Sequence, residues 1–193
     1  MNKTKNPKLI LISGLPASGK TILSKKIAER FALPVFGSDA IKEVMYDGLQ
    51  WKGLAENTLN DMGKTSFELL YYVLQSCLKS PIATVVEGNF HPDWNNERIK
   101  TMISENSAEV FYIYCSANKE AVEKRFKERA VSDSRHLGHR DTIKMHDKKF
   151  MQNLHEVNQP LEIGVDVFEF VTTDFGKVDH EKLFEKINNF LKK

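Results

Sequence analysis

Residues Gly14 to Thr21 read GLPASGKT, the spacing GxxxxGK[ST], one residue after the apolar run Leu9 to Ile12. Gly14 and Gly19 let backbone amides curl round a phosphate with no Cβ in the way. A helix that begins near Gly19 adds the positive end of its dipole. The amides of Pro16-Ala17-Ser18 belong to the same curl, less the one that proline lacks. Lys20 is spaced to neutralise β and γ phosphates, and the Thr21 hydroxyl to join the shell of a bridging Mg²⁺ ion. ATP with Mg²⁺ is the occupant these residues predict.

Moving a phosphoryl group to an alcohol needs a group that orients the hydroxyl and takes its proton. Asp39, just past the second apolar run, would reach the edge of a parallel sheet that carries the glycine turn; the bland alternative is a helix cap. The segment IATVVEGNFHP brings Glu87, Asn89 and His91 to the same edge, as one wall of an acceptor pocket. Glu87 stands where an aspartate often serves Mg²⁺, so it acts through a water or makes a structural hydrogen bond. Asn89 binds substrate or makes the turn. His91, before Pro92, is an exposed turn residue or a hydrogen-bond partner of substrate.

Arg125 and Arg129 are four residues apart on one helix face, and Arg135 and Arg140 follow in a stretch without periodicity. Four guanidinium groups on such a segment predict a mobile cover that stabilises charge on a moving phosphoryl group. The alternative is a solvated face with Glu123 and Glu128 as partners. His136 and His139 have no cysteine nearby, so HxxH here is weak evidence for zinc, and the two are read as residues that order the cover.

Elements must deliver these groups. Leu9–Ser13, Pro34–Phe36, Ile82–Val86, Val110–Tyr114 and Val165–Val171 read as short buried strands. Between them lie helical patterns. The first carries Ile22, Leu23, Ile27, Ala28 and Phe31, and the second, capped by Ser38 or Asp39, carries Ile41, Val44 and Met45. Trp51 to Ala55 reads as a bend, and a long helix follows from about Ala55 to Lys79, stopped by Pro81. Further helices are predicted from an Asp93 cap to about Ser104, from an Asn118 cap through Ala130, from Asp141 to about Val157, and over Leu183 to Leu191. The fold class is therefore α/β: a five-stranded, mostly parallel sheet in three α/β/α layers, with chemistry at the carboxyl ends of the strands.

GLPASGKT, SDAIK, a third strand that runs into Asn89-Phe90, and RHLGH from Arg135 to His139 together resemble a P-loop kinase group. That group includes chloramphenicol phosphotransferase, the zeta toxins, the kinase domain of polynucleotide kinase and small bacterial predicted kinases with an AAA-type ATP-binding domain. The likeness spans about three quarters of the chain, and its loop is the most specific part. It implies transfer from ATP to an alcohol, with Asp39 as general base and Lys20, Arg129 and Arg135 on the moving charge. It also implies one kinase domain over residues 1–193 with a lid at about 125–140. Lys42, the last residue of the D-x-I-K segment, joins Asp39, Glu87, Asn89 and His91 on the acceptor side. In nucleotide kinases of this architecture the adenine lies between the lid helix and the loop after the fifth strand. That makes Arg125 a nucleotide contact and Thr172, Thr173 and Asp174 candidate neighbours of the base; ATP rather than GTP follows from the resemblance, no NKxD guanine signature being evident.

The 193 residues, 41% hydrophobic, suit one ordinary domain. A formal charge of +2 is too small for a sequence-independent grip on nucleic acid, which leaves a small-molecule phosphoacceptor as the expected partner. Two cysteines in no metal or disulfide pattern, with no signal-peptide core or membrane-length run, predict a cytoplasmic protein. Two other readings of the motif are a P-loop NTPase switch or hydrolase with water as acceptor, and a polynucleotide 5'-hydroxyl kinase. Acceptor identity and oligomeric state are not written in these residues.

Overall fold

The computed structural model describes residues 6–49, 56–154 and 159–193, with side chains from residue 61 onward in the second stretch. Five strands form the sheet: β1 Lys8–Gly14, β2 Val35–Gly37, β3 Thr84–Glu87, β4 Glu109–Ser116 and β5 Val167–Val171. Their order is β2-β3-β1-β4-β5, and every neighbouring pair is parallel. The helices are α1 Lys20–Phe31, α2 Ser38–Gly48, α3 Glu56–Leu78, α4 Pro92–Glu105, α5 Lys119–Ala130, α6 Asp141–Lys144, α7 Lys148–Asn153 and α8 His180–Lys192. Among the described residues no helix is long and apolar enough to cross a membrane.

Alternation along β1 explains the three layers. Side chains on a strand point to opposite faces in turn, so Leu9 and Leu11 enter one core and Ile10 and Ile12 the other. The first core is completed by Leu70, Tyr71 and Leu74 of α3 with Ile99 and Met102 of α4; the second by Leu23 and Ile27 of α1 with Leu183 and Ile187 of α8. Each fully buried aliphatic side chain of this kind contributes about 1.5–3 kcal/mol. A strand covered on both faces has no polar alternation, which is why β1 reads as an unbroken apolar run. Strand order reverses at β1, so the carboxyl end of this central strand opens on a crevice where a ligand fits.

Several boundaries differ from the sequence reading. The long helix expected from Asp141 to Val157 is interrupted: α6 ends at Lys144, and α7 starts after Asp147, whose carboxylate accepts from the Phe150 amide at 3.1 Å. Residues 155–158 lie outside the described part, as do Trp51 to Ala55. The cap of α4 is His91, whose ring accepts from the Asp93 amide, rather than Asp93, because the helix already begins at Pro92. Strands β3 and β5 start two residues later than their apolar runs, at Thr84 and Val167.

Gly14 has φ +138°, and a Cβ there would lie 2.0 Å from the carbonyl oxygen of Cys115. That neighbour is backbone of the central sheet and cannot yield cheaply. We expect Gly14→Ala to cost about 3 kcal/mol or more and to lower Tm by roughly 6–12 °C, read by thermal unfolding followed by circular dichroism. An unchanged Tm would contradict the rigid packing described for this turn.

Candidate active site

The glycine turn is held open by its surroundings. Gly14, Ala17 and Gly19 all have left-handed backbone, at φ +138°, +57° and +87°. The Leu15 amide bonds the Cys115 carbonyl of β4 at 3.3 Å, and the Thr172 hydroxyl donates to the Ser18 carbonyl at 2.9 Å. Thus β4 and the exit of β5 both fix the loop. Gly19 also faces the ring of Phe175, which a Cβ would meet at 2.8 Å.

Lys20 begins α1, and its ammonium donates to the carbonyls of Leu15 at 2.7 Å and Gly14 at 3.1 Å. Burial holds its pKa below the usual lysine value, against Glu87, Cys115 and Asp39, which pull it upward. The Thr21 hydroxyl donates to Glu87 Oε1 at 3.0 Å. Burial raises the pKa of Glu87, with Lys20 opposing. A hydroxyl and a carboxylate meeting at the start of α1 form a hard oxygen pair suited to a small divalent cation. Among the described residues no three or more His, Cys, Asp or Glu side chains group as a metal shell, so such an ion would complete its coordination with waters and phosphate oxygens, as Mg²⁺ commonly does.

Two cavities adjoin this floor. One, of about 550 Å³, is lined by Gly19, Lys20, Thr21, Glu87, Arg125 and Phe175 among others. The second, of about 460 Å³, is lined by Lys42, His91, Trp94, His139, Lys144 and Phe150 among others. Pro16, Asp39, Asn89, Arg129 and Arg135 line both, so they mark the junction. Of the residues read from the sequence as chemical, Gly14, Ser18, His136, Arg140, Thr172, Thr173 and Asp174 line neither cavity, and the others lie on one wall or another of the two. The cap alternative for Asp39 is not what α2 uses: its N-cap is Gly37, with no side-chain hydrogen bond, and Asp39 sits in the first turn. Burial pushes the Asp39 carboxyl up, but His139, Arg135, Lys20 and Arg129 together outweigh it, and its pKa lies below the usual aspartate value.

The arginines divide their tasks. Arg129 and Arg135 both pair with Asp141 Oδ2, at 3.0 and 2.7 Å, and Arg135 approaches Asp39 at 3.8 Å. Arg125 turns to the β5 exit, donating to the carbonyls of Thr172 and Thr173 at 2.7 and 2.9 Å and stacking 3.8 Å over the ring of Phe175. Glu123 and Glu128, offered as partners in the solvated-face alternative, pair instead with Lys119 and Lys124, each at 3.9 Å. Arg140 lines neither cavity; it is the left-handed residue before α6. Four buried side-chain polar atoms have no hydrogen-bond partner among the described residues: Ser18 Oγ, Asn89 Oδ1, Arg125 Nη1 and Arg129 Nε. One belongs to the glycine turn and three to residues lining the cavities, the distribution expected where a polar ligand supplies the missing bonds.

His136 and His139 tie the segment after α5 to α2, through Asp47 at 3.1 Å and Glu43 at 2.6 Å. Burial holds His139 below its ordinary value of 6.5, against the upward pull of Asp39 and of the Glu43 hydrogen bond. Below pH 6.5 the unfolded chain therefore binds a proton that the folded one refuses, and stability falls until the pH passes the folded pKa. Glu87, raised by burial, titrates in the opposite sense, so the informative quantity is a difference between proteins. We expect the Tm of His139→Gln to fall less than that of the parent between pH 6.5 and about 5; parallel curves would contradict this account of the histidine.

Residues 9–153 match the family described as AAA domain. The chain belongs to that family. No curated protein matches it. A protein from Chloroflexus aurantiacus j-10-fl, solved under the name "putative kinase", shares 27% identity and a TM-score of 0.85, with 96% of this chain and 98% of that one covered. Shikimate kinase from Aquifex aeolicus vf5 is similar at 15% identity and a TM-score of 0.54, over 95% and 96% of the two chains. Kti12 from Chaetomium thermophilum, solved with ADP-AlF3, is similar at 17% identity and a TM-score of 0.63, over 94% and 97%. The AAA-domain chain thus has the three-layer fold of P-loop kinases, a nucleotide-binding architecture.

Three members of the site carry no motif of their own in the sequence. Asp141 appears only as the start of a helix, yet its side chain is 3% exposed and joins two arginines. Glu43 lies within α2 directly after the D-x-I-K segment, whose pattern does not extend to it. Phe175 follows Thr172, Thr173 and Asp174 in an otherwise polar turn, and an aromatic residue there is the signal of a flat group packed against it, the Arg125 guanidinium.

Proposed function

We propose that this AAA-domain chain is an ATP- and Mg²⁺-dependent kinase that moves the γ phosphate of ATP to a hydroxyl of a small molecule, working as a single domain with residues at about 125–140 as its lid. The observation that carries the reading is that Asp39, Arg129 and Arg135 line both cavities. A nucleotide whose phosphates rest in the glycine turn has its terminal phosphate pointing to that junction, and an alcohol in the second cavity meets it there.

In this reading the backbone amides from Gly14 to Gly19 hold the phosphates, and Lys20 exchanges its carbonyl contacts for phosphate oxygens. Arg125 and Phe175 flank the base side of the nucleotide. Thr21, with Glu87 behind it, would hold a Mg²⁺ ion, which would supply neutralising charge to the phosphates. Asp39, kept ionised by the cations round it, accepts a hydrogen bond from the acceptor hydroxyl and aims the oxygen at phosphorus. Because the transition state for phosphoryl transfer is loose, the proton passes to the carboxylate late, and a weakly basic aspartate suffices. Asn89 offers its unpartnered carbonyl oxygen to the acceptor, and His91, engaged as a helix cap, stands at the wall. Arg129 and Arg135 meet the spreading charge.

The reading is tested by incubating the protein with γ-labelled ATP and a metabolite extract. Label is expected in an organic phosphate, with one ADP formed for each product molecule. Label recovered only as inorganic phosphate would contradict it and favour a hydrolase or switch.

A further inference from the structure

We propose that the acceptor is an alcohol that also carries an anionic group, a phosphate monoester or a carboxylate, bound between Lys42 and Lys144 in the second cavity. The inference rests on the kinase reading and specifies its substrate class.

The second cavity has a pronounced imbalance of charge. Five cationic side chains line it, Lys42, Lys144, Lys149, Arg129 and Arg135, against three carboxylates, Asp39, Asp141 and Asp147. The carboxylates are already engaged. Asp141 takes up both arginines, Asp147 caps α7, and Asp39 stands at the junction with Arg135 and His139 at 3.8 Å each. What remains are lysines. Lys42 and Lys144 are both partly buried, yet neither makes a hydrogen bond or ion pair to any described residue; Lys144 only approaches the ring of Phe150, at 5.8 Å.

They come from different elements, α2 and α6, and converge because the histidines clamp the segment before α6 onto α2. Burial is the main cause that holds each ammonium below the usual lysine pKa, with Lys144 adding to it on Lys42; Asp39 and Asp141 pull both upward without outweighing it, and neither carboxylate forms an ion pair with either lysine. Partial burial of two like charges in one cavity is unfavourable without a directly paired counter-ion, and an anion that bridges them relieves both the desolvation and the repulsion. The nucleotide is not that anion: neither lysine lines the cavity of the glycine turn, where Lys20 stands on the phosphate side and Arg125 on the base side.

The arrangement also orients the acceptor. Asp39 and the open carbonyl oxygen of Asn89 lie at the junction, so the reacting hydroxyl belongs there and the anionic group lies away from it, where Lys42 and Lys144 line the second cavity alone. Trp94, 79% exposed and stacked 4.8 Å from His91, offers an apolar face to the carbon frame between them. A neutral polyol would leave the two lysines as they are; an anionic one pairs them.

The experiment uses the full chain saturated with Mg²⁺ and the non-hydrolysable analogue AMP-PNP, and calorimetry of three matched series: glycerol, glycerate and glycerol 3-phosphate; ribose, ribonate and ribose 5-phosphate; glucose, gluconate and glucose 6-phosphate. In at least one series an anionic member is expected to bind about tenfold or more tightly than its neutral counterpart, and the two anionic arms tell carboxylate from phosphate. The double variant Lys42→Met, Lys144→Met keeps the apolar stems and is expected to bring that preference to within about twofold while still binding AMP-PNP, which also reports that it folds. No anionic preference in any series, or a preference that survives the double substitution, overturns the inference and leaves the kinase reading standing. Failure of the parent protein to bind AMP-PNP overturns the kinase reading, and the inference with it.

Discussion

Lys20→Ala is expected to abolish detectable phosphoryl transfer, with kcat/KM lower by about 10³-fold or more in a coupled ADP assay. The ammonium is buried and now bonded to two carbonyls of its own loop, at 2.7 and 3.1 Å. A cation held in a site of low polarity acts on developing phosphate charge far more strongly than one in water. Alanine leaves the loop's left-handed turns intact, since Gly14, Ala17 and Gly19 are held by β4, the β5 exit and Phe175 rather than by the lysine alone. The fold should therefore survive, and the variant should unfold cooperatively like the parent. A variant with a normal melting curve and more than a tenth of parental turnover would remove Lys20 from the chemistry.

Asp39→Asn separates chemistry from binding. The amide is nearly isosteric with the carboxylate but cannot take a proton, so turnover is expected to fall by about 10²-fold or more. Nucleotide affinity should change by no more than a few fold, because the glycine turn, Lys20 and Arg125 lie on the other side of the junction. One electrostatic consequence favours binding: Arg135, at 3.8 Å from Asp39, loses a competing anion and becomes freer for phosphate. The signature is thus a large loss in kcat with an unchanged or slightly lower Kd for ATP. Unchanged turnover would return Asp39 to a purely structural place in the first turn of α2.

Much of this site is local in the sequence, and that part was legible. The spacing of Gly14, Gly19, Lys20 and Thr21 encodes a turn whose function is carried by backbone, so residue types at fixed offsets suffice to find it. The strand preceding it is buried on both faces, so an apolar run locates it. Asp39 follows from the parallel sheet: a residue just beyond a strand shares an edge with every other strand end. The pairings within the lid were not legible, because they join residues from separate elements. Asp141 is shared by Arg129 of α5 and Arg135 of the following segment, and His139 reaches back to Glu43 of α2. Nothing in the spacing of these residues distinguishes a buried carboxylate from an exposed one. The break between α6 and α7 was missed for a related reason: Asp147 reads as one more polar residue on a helix face until its carboxylate is seen to bond the Phe150 amide.

Whether one carboxylate faces the terminal phosphate decides the whole account. The direct measurement is a crystal structure with Mg²⁺ and AMP-PNP bound. With one hydroxyl oxygen to fit between them, a carboxylate oxygen of Asp39 is expected about 5–6 Å from the γ phosphorus, on the side opposite the bridging nitrogen. A separation beyond about 8 Å, or an Asp39 on the same side as that nitrogen, leaves no room for in-line attack through this residue and contradicts the proposed transfer.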